Sequence, residues 1–390
     1  MSQPIKLSTF ISFLGAISMI WVFSACTPSA TETPMLPMTI ATVTQSDAET
    51  PMLPMTIATV TQSVTRASQP SILKIPLVTN TYTADPSAHV FGDTLYIYPS
   101  HDLDHNNPPT QNGDQFDMED YHVFSLANMN SLPLDLGQIL HVKDVPWAEK
   151  QMWAPDIAFK NDTYYLYFPA KDHNGIFRIG VATSQSPTGP FIPQTEPIPG
   201  SFSIDPAVFV DDDGQSYMYF GGLWGGQLEK WETGAYDPNG VEPDNGQSAL
   251  GPKVAKLSAD MLHFDGPIQE LSITDEDGQP LLVEDHVRRF FEASWLHKYK
   301  GTYYFSYSTG DTHHIAYATS ESPLGPFTFR GYILTPVIGW TTHHSIVEFQ
   351  GKWYLFYHDS SLSGGVDYKR CMKVAELEYN KDGTIQTINP

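Results

Sequence analysis

The stretch SIDPAVFVDDDGQSYMYFGG, Ser203 to Gly222, sets an acid just ahead of an apolar run, follows it with an Asp-Gly turn, and ends in a second, aromatic run. The same order of parts returns four more times: ADPSAHVFGDTLYIY from Ala84, APDIAFKNDTYYLYF from Ala154, FEASWLHKYKGTYYFSY from Phe291 and HHSIVEFQGKWYLFY from His343. Each copy places Gly, Asn-Asp or Lys-Gly between two alternating runs, the signature of a β-hairpin. The copies lie roughly fifty to ninety residues apart, too far for a short-period solenoid and suited to one four-stranded propeller blade per copy. The chain therefore reads as all-β, a five-bladed β-propeller with the first strand of every copy innermost. Residues opening those strands then meet at one funnel: Asp85, Asp156, Asp205, Glu292 and His343.

An acid at a strand start has a plain structural use, because Asp-Pro commonly opens a turn. Asp85 and Asp205, each followed by proline, could be read that way in isolation. Glu292 could not. It stands between Phe291 and Ala293 in the apolar run FFEASW, where it has no turn role and would be costly to bury unpaired.

The chain of 390 residues, 41% hydrophobic and 13% aromatic, is long enough for a large core in one domain. Its 44 acids against 21 bases give a formal charge of -23, which excludes nucleic acid as a ligand, since phosphate backbones are held by lysine and arginine clusters. Met1 to Ala25 carries one lysine and the apolar run LSTFISFLGAISMIWVF, short for a membrane span and suited to a signal peptide. The run ends in VFSAC, which resembles the bacterial lipoprotein signal, with Cys26 the lipidated residue. An ordinary cleaved signal and a secreted protein is the alternative. Residues 26–70 are rich in Thr and Pro and hold ETPMLPMTIATVTQS twice, from Glu32 and from Glu49, which reads as a disordered tether. Residues 71–390 are left for the propeller. The second cysteine, Cys371, falls in the last copy, so no disulfide is expected. VATSQSPTGPF from Val181 and YATSESPLGPF from Tyr317 read as equivalent blade-exit turns, and VDDDGQ and TDEDGQP as hairpin turns, since they lack the spacing of a calcium loop.

The phrases ADP at Ala84, WAPDI at Trp153, SIDPAVF at Ser203, FFEASW at Phe290 and THHS at Thr342 together resemble glycoside hydrolase family 43. GWTTHHSIVEFQGKWYLFYHDSSLSGG and SYSTGDTHHIAYATS look most like its β-xylosidase and α-L-arabinofuranosidase branch. The resemblance covers the span from Ser71 to Pro390. It implies Asp85 as the general base that activates water, Glu292 as the general acid, and Asp205 as the carboxylate that orients the acid and raises its pKa. It further implies inverting, exo-acting hydrolysis that releases xylose or arabinofuranose from xylo-oligosaccharides or arabinoxylan. Arg370, in YKRCMKVAEL, would aim its fork into the pocket. Trp153 and Trp224 are candidate walls for a sugar ring, and Asp156 a candidate on the substrate side, expected close to the site as a structural hydrogen-bond acceptor. His101 and Asp102, in SHDLD, could line the sugar site or simply be solvated. His343 would stand at the propeller axis, where some family members hold a calcium ion by one imidazole and otherwise water. The alternative is a histidine that only hydrogen-bonds water there. Two other functions stay open: an endo-arabinanase, which needs an open groove, and a non-catalytic glycan-binding propeller, which would have no need of three carboxylates together.

Overall fold

The computed structural model describes residues 75–105, 107–310 and 312–390, all within a unit spanning Arg66–Pro390. The signal segment, the anchor Cys26 and the tandem tether lie outside the described residues.

The described chain forms five antiparallel blades. Blade I is β1 (Tyr82–Phe91), β2 (Thr94–Asp102), β3 (Asp120–Leu126) and β4 (Leu134–His141). Blade II is β5 (Ala148–Lys150), β6 (Asp156–Lys160), β7 (Thr163–Asp172), β8 (Phe177–Ser184) and β9 (Ile192–Pro193). Blade III is β10 (Ala207–Val210), β11 (Ser216–Phe220), β12 (Lys253–Leu257) and β13 (Gln269–Glu270). The chain then sends β14 (Ile273–Thr274) across to pair in parallel with the outer strand of blade IV, which is β15 (Phe290–Tyr299), β16 (Thr302–Thr309), β17 (Ile315–Ser320) and β18 (Phe327–Leu334). Blade V is β19 (His344–Phe349), β20 (Lys352–Asp359) and β21 (Cys371–Leu377).

The hairpins expected from the sequence are the inner two strands of each blade. β1, β6, β10, β15 and β19 contact one another in a closed ring around the axis. The hairpin turns Asn161-Asp162, Lys300-Gly301 and Gln350-Gly351 have both residues at positive φ, as a tight turn matched to strand twist requires. The two acidic phrases are turns as well, closed by Asp211 N–H to Gln215 O and Asp275 N–H to Gln279 O.

Blade V departs from the expected four strands. Its outer edge is covered by the segment that runs into β1 and by the start of β1 itself, where Leu77 N–H donates to Met372 O and Thr83 N–H to Arg370 O. A ring of sheets leaves an edge unless its two ends meet, and here the beginning of the propeller serves as the last edge of blade V. Three seams between blades have their own apolar clusters: Tyr98, Tyr121 and Phe168 between I and II, Trp295, Tyr317 and Tyr357 between IV and V, and Ile97, Phe124, Phe356 and Val78 between V and I. Tyr167, Tyr219, Phe305 and Tyr307 belong to the largest cluster, which runs through blades II, III and IV.

Candidate active site

At one end of the axis a cavity of about 170 Å³ is walled by all five blades. Asp85, Asp205, Glu292, His343 and Arg370 line it, together with Trp153, Trp224, Phe116, Phe291 and Trp340.

The three carboxylates reach the cavity because the backbone breaks its ladder beneath them. β1 slips register between Ala84 and Ser87, with Asp85 at φ 47°, and β15 slips on both sides of Glu292, with Ala293 at φ 64°. Asp205, one turn ahead of β10, stands at φ 56°. Non-glycine residues avoid this left-handed region, so surrounding contacts must hold all three sites in place. Such bulges turn a side chain that would face a neighbouring blade toward the axis.

Asp85 sits among cations and donors. Arg370 Nη1 lies 3.1 Å from its Oδ1, His358 Nδ1 3.2 Å and His343 Nδ1 3.7 Å, while its own N–H donates to His358 Nδ1 at 3.0 Å. Burial opposes its ionisation, yet the Arg370 guanidinium beside it holds its carboxyl well below the usual carboxylate range. Arg370 is itself clamped: Nε and Nη2 form a two-pronged pair with Asp102 at 2.8 and 2.7 Å, and its backbone N–H donates to the same carboxylate. Its guanidinium lies over the Phe116 ring at 5.2 Å.

Glu292 has apolar neighbours instead. Burial, then the negative charge on Asp85, pushes its pKa up to about 8, with Arg370 opposing. Asp205 is also raised well above its ordinary value, by burial and then by Glu292 and Asp85. Two neighbouring buried carboxyls cannot both ionise cheaply, so the pair holds a proton at neutral pH. Asp205 Oδ2 accepts the Ala293 N–H at 2.9 Å, a bond that favours the ionised form, and this places the proton on Glu292. His343 Nδ1 stands 3.6 Å from Asp205 and 3.7 Å from Asp85, and burial lowers its pKa to about 4, leaving a neutral imidazole between them.

The aromatic walls differ in kind. Trp153 is buried, its Nε1 donates to Phe116 O, and Phe177 covers it at a ring distance of 4.7 Å, so it is blade packing and cavity wall together. Gly113, at φ 71°, allows the rim loop to approach: a Cβ there would lie 2.8 Å from the Trp153 ring. Trp224 is 41% exposed and stacks on Trp340, itself 37% exposed, at 6.0 Å, both edged by Phe291.

Asp156 is a correction. Although it opens the second copy, it is not among the cavity residues; Ser87 and His89 hold its Oδ1 at 2.6 and 2.7 Å, and Val208 N–H its Oδ2 at 2.6 Å. It fastens the inner strands of blades I, II and III. His101, weighed as a sugar contact, is instead bound to Asp120 and Thr81. His344 faces away from the cavity and pairs with Ser306. Sequence reasoning missed His358 and Trp340. Trp340 carried a usable signal, since it stands three residues before His343 in GWTTHH; His358 carried none.

The family model described as Glycosyl hydrolases family 43 matches residues 74–385. A xylosidase/arabinosidase 43A of Humicola insolens is 59% identical over 324 residues, covering 81% of this chain and 99% of the relative. A beta-xylosidase of Xylanibacter ruminicola is 49% identical over 309 residues, covering 79% and 97%. Among solved structures, CoXyl43, a GH43 beta-xylosidase/alpha-arabinofuranosidase from a compost microbial metagenome, in complex with xylotriose and in calcium-free form, superposes with a TM-score of 0.80 at 62% identity, covering 81% of this chain and 97% of that one. The GH43_1 enzyme of Xanthomonas citri in complex with xylotriose gives 0.78 at 56% identity, covering 82% and 94%.

Proposed function

The chain belongs to glycosyl hydrolases family 43 and is a glycoside hydrolase, and from that premise we propose that it removes terminal xylosyl or arabinofuranosyl units from xylo-oligosaccharides or arabinoxylan with inversion. The observation that carries this reading is the opposed setting of the carboxyls in one cavity: Asp85 lies 3.1 Å from the Arg370 guanidinium, which favours its ionised form, while burial and nearby negative charge favour the protonated form of Glu292. In this mechanism Asp85 takes a proton from a water as the water oxygen bonds to the anomeric carbon. Glu292 gives its proton to the glycosidic oxygen as the carbon–oxygen bond breaks, then recovers one from solvent. Asp205 keeps Glu292 protonated and fixes the backbone at Ala293. Inverting glycosidases hold their two carboxyls about 6.5–9.5 Å apart to admit that water.

The names of the relatives, xylosidase/arabinosidase and beta-xylosidase, support end-wise action over cleavage within a chain, and rim residues Thr110, Gly113, Phe116, Trp224 and Trp340 stand around the cavity where a sugar end would enter. Trp153 and Trp224 supply aromatic surface to the sugar, and Arg370 a charged donor beside the water. Paired assays with nitrophenyl xyloside and nitrophenyl arabinofuranoside rank the two sugars, and proton NMR of the first sugar released reports its anomer. Release of the retained anomer, or no release from either substrate, overturns the reading.

Calcium fits His343 only as a hydrated ion. The neutral imidazole offers one nitrogen, whereas calcium takes six to eight oxygens, and among the described residues no three-ligand group of His, Asp or Glu gathers at the axis. When bound, such an ion would supply positive charge beside Asp85 and Asp205. For the N-terminal residues we propose export and lipid anchoring at Cys26, supported by VFSAC and the Thr/Pro-rich segment after it; release of Cys26→Ala into the medium is the expected outcome.

A further inference from the structure

Blade I carries a second cluster of ligating side chains, none of which lines the cavity. His101 is the last residue but one of β2, Asp120 opens β3 and His122 follows two residues later, so adjacent strands bring two imidazoles and a carboxylate together. One ligand atom from each lies within 4.8 Å of the others. We propose that these three residues form a binding site for one divalent late-transition-metal ion with zinc-like ligand preference, held by His101 Nδ1, an Asp120 oxygen and His122 Nε2.

The outer contacts of both imidazoles carry the argument. His101 Nδ1 faces Asp120 Oδ1 at 2.6 Å, and its other nitrogen is held by Thr81 Oγ1 at 2.9 Å. His122 turns Nε2 toward Asp120 Oδ2 at 3.9 Å, while its Nδ1 lies 3.1 Å from Asp135 Oδ1. Metal-bound histidines characteristically give their second N–H to a carboxylate or another oxygen, which fixes tautomer and ring direction. Here both rings have that partner already, and both aim the remaining nitrogen at the same carboxylate. The rings stand 5.4 Å apart at 63°, edge-on to one another.

Small movements suffice to bind an ion. Ligands on a tetrahedral ion with bonds of about 2.0–2.1 Å sit about 3.4 Å apart, so the His101–Asp120 contact opens and the His122–Asp120 contact closes. On binding, His101 Nδ1 gives up its proton while Nε2 keeps one, donated to the Thr81 hydroxyl, so metal uptake releases protons. Two imidazoles and one carboxylate suit zinc, copper, nickel or cobalt and are too few and too soft for calcium or magnesium. The His101, Asp120 and His122 side chains are 23%, 13% and 27% exposed, which leaves a way in and room for a water as fourth ligand.

The test uses tag-free full-length protein, stripped with chelator and titrated with Co²⁺ and then Zn²⁺, reading visible cobalt absorption and bound metal by mass spectrometry. Wild type and His343→Ala should each bind one equivalent, with cobalt bands that zinc abolishes. His122→Ala should lose that equivalent while melting at the wild-type temperature in chelator. Asp135→Asn, which leaves all three ligands in place, should weaken binding by about 10–100-fold. Should His122→Ala fail to fold, His122→Gln and Asp135→Asn carry the test. Equal stoichiometry in wild type and the His122 variant, loss of the equivalent in His343→Ala alone, or no binding by wild type overturns the proposal and leaves a His101–Asp120 ion pair.

Discussion

The two sides of the cavity treat the same functional group in opposite ways. On the seam between blades V and I, Asp85 meets Arg370, His358 and His343, and its carboxyl stays ionised although it is buried. On the blade IV side, Glu292 shares the cavity with Phe291 and the Trp224–Trp340 pair and has Asp205 as a neighbouring acid, and burial favours its protonated form. Burial alone would raise both. What separates them is one buried guanidinium, held on the Asp85 side by Asp102. In the proposed mechanism the acid and base roles are thus set by the surroundings of each residue, not by the choice between Asp and Glu.

The sharpest way to break that contrast is to remove each carboxylate in turn. Asp85→Asn should lower kcat by about 10²–10⁴-fold whatever the leaving group, because every substrate needs an activated water. Glu292→Gln should cost about as much on xylobiose but far less on aryl xylosides, whose leaving oxygen needs no proton. Equal losses on the two substrates would take Glu292 out of the acid role. Asp102→Asn acts through Arg370 and should cost about 10²-fold, as expected for a misplaced group at the reacting centre. Its distinguishing readout is the acid limb of the kcat/KM profile, which should move to higher pH as Asp85 loses its stabilised charge; a merely destabilised protein would lose activity without moving that limb.

The alkaline limb belongs to the other side. Glu292 must be protonated to act, so activity should persist up to pH 8 or so and fall as pH rises through about 8. Asp205→Asn removes a neighbouring negative charge and should draw that limb to lower pH. The same shift predicts a stability effect. A carboxyl whose folded pKa is raised binds its proton more tightly when folded, so its contribution is favourable below the unfolded pKa and is lost as pH rises toward 8. Glu292→Gln, which cannot ionise, should therefore melt higher than wild type at pH 9, with the advantage shrinking toward pH 4.

The hairpin grammar made Asp85, Asp205 and Glu292 legible because each opens the inner strand of its copy, and propeller geometry sends those openings to one axis. The same rule misled at Asp156: it marks the strand opening but not which way the side chain turns, and without a bulge beneath it Asp156 points to its neighbours Ser87, His89 and Val208. His358 was out of reach for a different reason. It lies near the end of β20, 273 residues from Asp85, and meets it only because blade V closes against blade I. Asp102 was weighed as a sugar contact, but its actual partner is 268 residues away, just ahead of β21. The missing fourth strand of blade V follows from the same closure, since the covering segment comes from the other end of the propeller. Contacts within one copy could be read from local pattern; contacts across the closing seam could not.

The smallest expected effect sharpens the comparison at its apolar edge. Trp224 and Trp340 stack at 6.0 Å and 20° with Phe291 edge-on to both, and each remains more than a third exposed. Trp224 is oriented by its Nε1 bond to Glu242 at 2.6 Å, and Glu242 is fixed in turn by buried Arg289 at 3.2 Å. Such a ring can meet the apolar face of a sugar beyond the bond being cleaved, on the Glu292 side. An aromatic contact of that kind is worth about 1 kcal/mol, or about fivefold in binding. Trp224→Ala should therefore raise KM for xylotriose about fivefold with kcat nearly unchanged, and leave KM for nitrophenyl xyloside less affected. Glu242→Gln should keep the ring in place and change KM little. If Trp224→Ala instead lowered kcat with KM constant, the indole would be acting on the protonation of Glu292 by excluding water, and the alkaline limb of its pH profile would fall below 8.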